Sequence, residues 1–118
     1  MIAVEQRLRH WAAAFPVLEP ARAAWVPQQL VPLAELTERD LAEARATHRA
    51  IEMLARPLRE TLVRTYVMQM PTYRQAMQQG LHAEIVDRWL QQAHSAVDMA
   101  TRGLVSYRLQ ADAWEMTP

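Results

Sequence analysis

The sequence predicts an all-α domain of about five helices, one domain spanning 1–118. Three observations carry that expectation. Apolar residues recur at steps of three and four over long stretches, and no segment alternates apolar and polar residues as a half-buried strand would. Helix start and stop signals bound those stretches: Pro16, a capping box at Thr37, Pro57, Pro71, Gly80 and Gly103.

From Ile2 to Phe15, the residues Val4, Leu8, Trp11, Ala12 and Phe15 share one face, with Glu5, Arg7 and Arg9 opposite, and Pro16 is expected to end this helix. Pro16 to Pro32 holds Val17, Leu18, Trp25, Val26, Leu30 and Val31 without a sustained period. Too apolar for a free linker, it is expected to pack on the core with one short turn of helix. Thr37-Glu38-Arg39-Asp40 has capping-box spacing, and Leu41, Ala44, His48, Ile51 and Ala55 carry a second helix to about Arg56. Pro57 suits the first turn of a third, which Leu58, Leu62, Val63, Tyr66 and Val67 extend to about Gln69 before Met70-Pro71 stops it. Thr72 is expected to cap a short helix through Gln79, with Gly80 as a sharp turn. Ile85, Val86, Trp89, Leu90, Ala93, Val97 and Ala100 then give the longest helix, ending near Gly103. For the tail, 105–118, with Tyr107, Leu109 and Trp114, three fates stay open: extending that helix, docking on the core, or meeting a partner.

A chain of 118 residues, 51% hydrophobic and 22% charged, suits one soluble domain. Two glycines and no lysine exclude a dinucleotide fingerprint and a phosphate-binding loop. Without cysteine there is no disulfide, zinc finger or thiol nucleophile, and no cofactor or metal is expected. No apolar run approaches the roughly 20 residues that span a bilayer. With Glu5, Arg7 and Arg9 inside its pattern the N-terminus is no signal peptide, so the expected location is the cytoplasm of whatever cell makes it, with no membrane partner.

Thr72 to Leu90 has the layout of a helix-turn-helix, placed at about 72–97: a short helix, a glycine turn, a second helix. Ala76, four residues before Gly80, keeps the crossing close, while Leu81, Val86 and Trp89 are expected to plug it from below. Gln75 and Gln79 occupy positions that such motifs more often fill with apolar residues, and Tyr73 and Met77 are expected to supply that packing. With the second helix in a major groove, His82, Ala83, Glu84, Asp87, Arg88 and Gln91 face outward. Arg88 suits guanine, Gln91 adenine, and Glu84 or Asp87 a cytosine amino group. Two bundle helices joined by a glycine turn remain the bland alternative.

The run Leu62-Val-Arg-Thr-Tyr-Val67, then Met70-Pro71-Thr72, the turn at Gly80, and Val86-Asp-Arg-Trp-Leu-Gln-Gln-Ala93 leading to Ala96-Val97-Asp98, resembles the helix-turn-helix half of the Q family of lambdoid phage late-gene antitermination proteins. That half is itself similar to the C-terminal DNA-binding region of sigma factors. Val4 to Ala14 looks like the opening helix of the same family, whereas Pro16 to Thr37 has no counterpart. The resemblance implies a regulator, not an enzyme. It would bind double-stranded DNA beside a late promoter, engage bacterial RNA polymerase and sigma factor, and convert polymerase to a form that passes terminators. Carried over, it makes His82, Glu84, Arg88 and Gln91 base-facing and Arg74, Gln78 and Gln92 phosphate-facing. Trp11, Trp25, Tyr107 and Trp114 are candidates for the partner-binding surface.

Rival assignments are a small phage repressor or packaging adaptor, binding DNA as a dimer or ring, and a protein-only adaptor with a degenerate helix-turn-helix. His82-Ala83-Glu84 matches half of a zinc deaminase site but lacks the paired cysteines. His10, His48, His82 and His94 show no metal spacing or carboxylate cluster. His48 is expected to be partly buried and hydrogen-bonded, and His94 solvated. Glu84 and Asp87 form a carboxylate pair of the kind acid–base catalysis uses, but without a cleft signal a solvated face is favoured. Trp11, Trp25 and Trp89 are read as core, as are Met53, Met68, Met70, Met77 and Met99, which are expected to fill gaps.

Thirteen arginines balance thirteen acids, yet the charge is uneven. Residues 1–55 carry six arginines and seven acids, residues 56–108 seven arginines and four acids, and the last ten residues two acids. The helix-turn-helix half is therefore mildly basic between acidic flanks, which implies weak DNA affinity that polymerase must supplement.

Overall fold

In a computed structural model, which describes residues 3–24 and 36–104, the chain is all-α, with six helices and no strand among the described residues. These are α1 (Val4–Leu18), α2 (Pro20–Ala23), α3 (Glu38–Glu52), α4 (Arg56–Leu62), α5 (Thr72–Gln79) and α6 (Ala83–Met99). Helices α4 and α6 run on into π-helical turns at Val63–Val67 and Ala100–Leu104. The helix beyond the expected five is α2, the short turn foreseen after Pro16. No helix among the described residues is long and apolar enough to cross a membrane.

Leu8, Trp11 and Phe15 of α1 are fully buried or nearly so, and α1 packs chiefly on α3. Their common face corrects one expectation: Pro16 does not end α1 but lies inside it. The missing N–H forfeits only the bond to the Ala12 carbonyl, and Phe15 and Leu18 packed on the core hold the last turn together. The chain leaves the helix at Glu19, whose N–H donates to the Phe15 carbonyl (2.8 Å) before Pro20 opens α2.

The capping box at Thr37 is present. The Asp40 N–H donates to Thr37 Oγ1 (3.1 Å) and the Thr37 N–H to Asp40 Oδ2 (3.0 Å). Hydrogen bonding from the Thr37 N–H, and next from its hydroxyl, holds the Asp40 carboxyl pKa below its ordinary value. Helix α3 stops at Glu52, short of the expected Arg56, and Pro57 lies in the first turn of α4. Ile51, Leu62, Val67, Ala93 and Val97 close the core around Trp11 and Phe15.

Between α4 and α5 the Met70 N–H reaches back to the Arg64 carbonyl (2.8 Å), and Gln69 takes a left-handed φ of 55°. Thr72 does not cap α5; it lies in the first turn, and the Pro71 carbonyl accepts from the N–H groups of Arg74 and Gln75 (both 3.1 Å). The methionines are also corrected. Met53, Met77 and Met99 are exposed, because each stands two positions beyond a buried residue (Ile51, Gln75, Val97), about 200° round the helix from the core. Met68 does pack against the core, and Met70 is half-buried.

Candidate nucleic-acid interface

Helices α5 and α6 pack on one another across Gly80, which has φ 68° and ψ 32°. The Leu81 N–H donates to the Ala76 carbonyl (2.9 Å) and the Gly80 N–H to the Met77 carbonyl (3.3 Å), the two bonds of a Schellman close. Ala76 is buried where the helices approach. Val86 is fully buried, while Leu81 and Trp89 are half-buried, so Trp89 is not the core tryptophan expected of it.

Tyr73 and Met77 do not supply the packing expected of them. They are 62% and 75% exposed, and Gln75 is the residue that goes inside, with no exposure. Its amide Nε2 donates to the Met70 carbonyl (2.8 Å) and to Thr65 Oγ1 (2.9 Å), tying α5 to the π-helical turn. A polar side chain wins this position because the broken backbone before α5 leaves the Met70 carbonyl needing a donor. Gln75 Oε1 is buried without a partner.

The side chains expected to meet DNA, Arg74, Gln78, His82, Glu84, Arg88, Gln91 and Gln92, are all exposed. Arg88, Gln91 and Gln92 come together with Ser95, Ala96 and Met99 along a shallow groove of about 440 Å³ on the outer face of α6. Arg74 and Gln78 stand apart on α5. His82 precedes α6 and Glu84 lies in its first turn, where a carboxylate complements the helix dipole. Sequence reasoning missed Ser95 and Met99 as members of this face. The signal was present, since positions 88, 91, 92, 95 and 99 continue one period of three and four.

Two histidines depart from expectation. His94 is not solvated: half-buried, it meets the Tyr66 hydroxyl through Nε2 (2.7 Å). Burial pushes the His94 pKa below its ordinary value and the Tyr66 pKa above its own. A neutral imidazole and an un-ionised phenol thus share this hydrogen bond, its direction set by the imidazole tautomer.

His48 is partly buried and hydrogen-bonded as expected, but it does have carboxylate neighbours. Its Nε2 lies 3.3 Å from Glu19 and 3.8 Å from Glu52. Their ligand atoms fall within 4.8 Å of one another, close enough to surround a cation. The buried Trp11 indole opposes that use. Its N–H donates to His48 Nδ1 (3.1 Å), so the neutral ring carries its proton on Nε2, the atom a metal would need bare. The cluster is a hydrogen-bonded clasp of α1 on α3.

Of the partner candidates, Trp11 has no exposed surface, and Trp25, Tyr107 and Trp114, with the tail 105–118, lie outside the described residues. No family model matches the chain, and no curated protein or solved structure matches it.

Proposed function

We propose that this chain is a sequence-specific DNA-binding regulator that engages bacterial RNA polymerase in the cytoplasm of its host, with phage late-gene antitermination as the process. The observation that supports this most is the α5–Gly80–α6 unit: two short-linked helices, closed by a left-handed glycine, whose outer faces carry exposed Arg74, Gln78, Arg88, Gln91 and Gln92. In such a unit α6 enters the major groove and α5 crosses the backbone. Arg88 and Gln91 read bases, and Arg74 and Gln78 hold phosphates. The chain acts by binding, not by catalysis.

The test is transcription in vitro through a terminator, with and without the protein, on templates carrying or lacking DNA from its own late-promoter region. Read-through only on templates that carry the element is expected. Equal termination on all templates would count against antitermination, and failure to retard any of that DNA at low salt would count against DNA binding. A protein-only adaptor is the second reading, favoured by the exposed Tyr73 and Met77 and by the exposed Glu84 and Asp87 on α6.

A further inference from the structure

Resting on the DNA-binding reading, we infer that the base-reading surface is the groove on the outer face of α6, and that Gln92 and Ser95 are specificity-determining residues within it. The first turns of α6 suit a duplex poorly. Glu84 and Asp87 are exposed there, and neither forms an ion pair among the described residues. Carboxylates so placed repel phosphates on every sequence. The groove that begins one residue later is different. Among the described residues no acid lines it, and Arg88, Gln91, Gln92 and Ser95 carry donors and acceptors along it.

That chemistry selects the occupant. Base edges in a major groove offer donors and acceptors in one plane, which a glutamine reads bidentately on adenine and a serine reads on any base. From Arg88 to Met99 the helix rises about 16 Å, the length of about five base-pair steps. Met99, 55% exposed at the far end of the groove, is an apolar surface suited to a thymine methyl. Gln92 thus moves from the phosphate to the base side, and Ser95 joins it.

Selection of the full chain on a random-sequence duplex pool, repeated with Gln92→Ala, Ser95→Ala, Arg74→Ala and Arg45→Gln, tests this. Gln92→Ala and Ser95→Ala are at exposed sites of α6 and favour helix, and melting curves confirm folding. Expected is a loss of base preference at one position each, about tenfold for Gln92→Ala and about threefold for Ser95→Ala. Arg74→Ala is expected to weaken all sequences alike, and Arg45→Gln, exposed on α3, to change nothing. A preference unchanged in both Gln92→Ala and Ser95→Ala, or affinity lowered equally on all sequences, overturns the groove assignment while DNA binding stands. Enrichment of no sequence by the unaltered chain at low salt overturns DNA binding itself.

Discussion

Replacing Gly80 with alanine isolates the backbone term of the turn between α5 and α6. A Cβ at Gly80 would meet no atom within 4 Å, so no steric clash contributes. What remains is φ 68°, and a left-handed conformation costs an ordinary residue roughly 1–2 kcal/mol. Alanine also stiffens the unfolded chain, which offsets roughly 0.4–1 kcal/mol of that. The net expectation is a loss of about 1 kcal/mol, which lowers Tm by roughly 4 °C in a domain of 118 residues. Gly80→Asn is expected to lose about half as much, because asparagine tolerates this region better. Urea and thermal unfolding followed by circular dichroism measure both. Gly80→Ala as stable as the parent, or asparagine worse than alanine, would show that conformation does not set the cost. A loss above about 3 kcal/mol would show a buried contact instead.

His94 is held neutral by burial, so between its ordinary value near 6.5 and its lower folded value the unfolded chain binds the extra proton. Stability should therefore fall as pH drops below about 6.5, and His94→Gln should flatten that slope in urea titrations; parallel curves would refute the coupling. Trp11→Phe removes the donor to His48 Nδ1 and opens space in the core. It should cost about 2–4 kcal/mol in equilibrium unfolding, and a loss under about 1 kcal/mol would mean that the clasp contributes nothing. Gln69→Gly should stabilise by about 0.5 kcal/mol by relieving the positive φ, and destabilisation in the same assay would show that the side chain is needed. Thr37→Ala, which removes one bond of the capping box, should cost about 1 kcal/mol by thermal melting, and an unchanged Tm would count against the cap.

Features governed by neighbours in sequence were the legible ones. The capping box at Thr37, the turn at Gly80 and the faces of α1 and α6 all follow from local spacing, and the structure has them. The misreadings share another cause. Pro16, Gln75 and His94 are settled by groups far along the chain or by backbone that sequence does not display. A proline is tolerated because Phe15 and Leu18 stay on the core. A glutamine is buried because Met70 presents a carbonyl, and a histidine is half-buried because Tyr66, twenty-eight positions away, points at it. Polarity predicts exposure only until a partner is available inside. Site residues fared unevenly for the same reason. Exposure of Arg88, Gln91 and Gln92 follows from helical period, but their meeting with Ser95 and Met99 in one groove emerged only from the folded surface.

Charge supplies the link between this surface and a second partner. Of the arginines after α3, Arg102 is paired with Asp98 and Arg59 reaches the Glu52 carbonyl. On the two helices proposed to meet DNA, Arg74 and Arg88 are the exposed cations among the described residues. Two neutralised phosphates give a salt slope near −2, a loss of roughly tenfold between 50 and 200 mM salt, where six to ten contacts would lose a thousandfold or more. Such a chain draws little affinity from the backbone on any sequence, and its own Glu84 and Asp87 subtract from that. If the chain binds DNA as proposed, hydrogen bonds from one helix would decide where it sits without holding it there for long. On the proposed reading, residence on DNA would need a second contact, of the kind that the proposed binding to a polymerase engaged at the same site would supply.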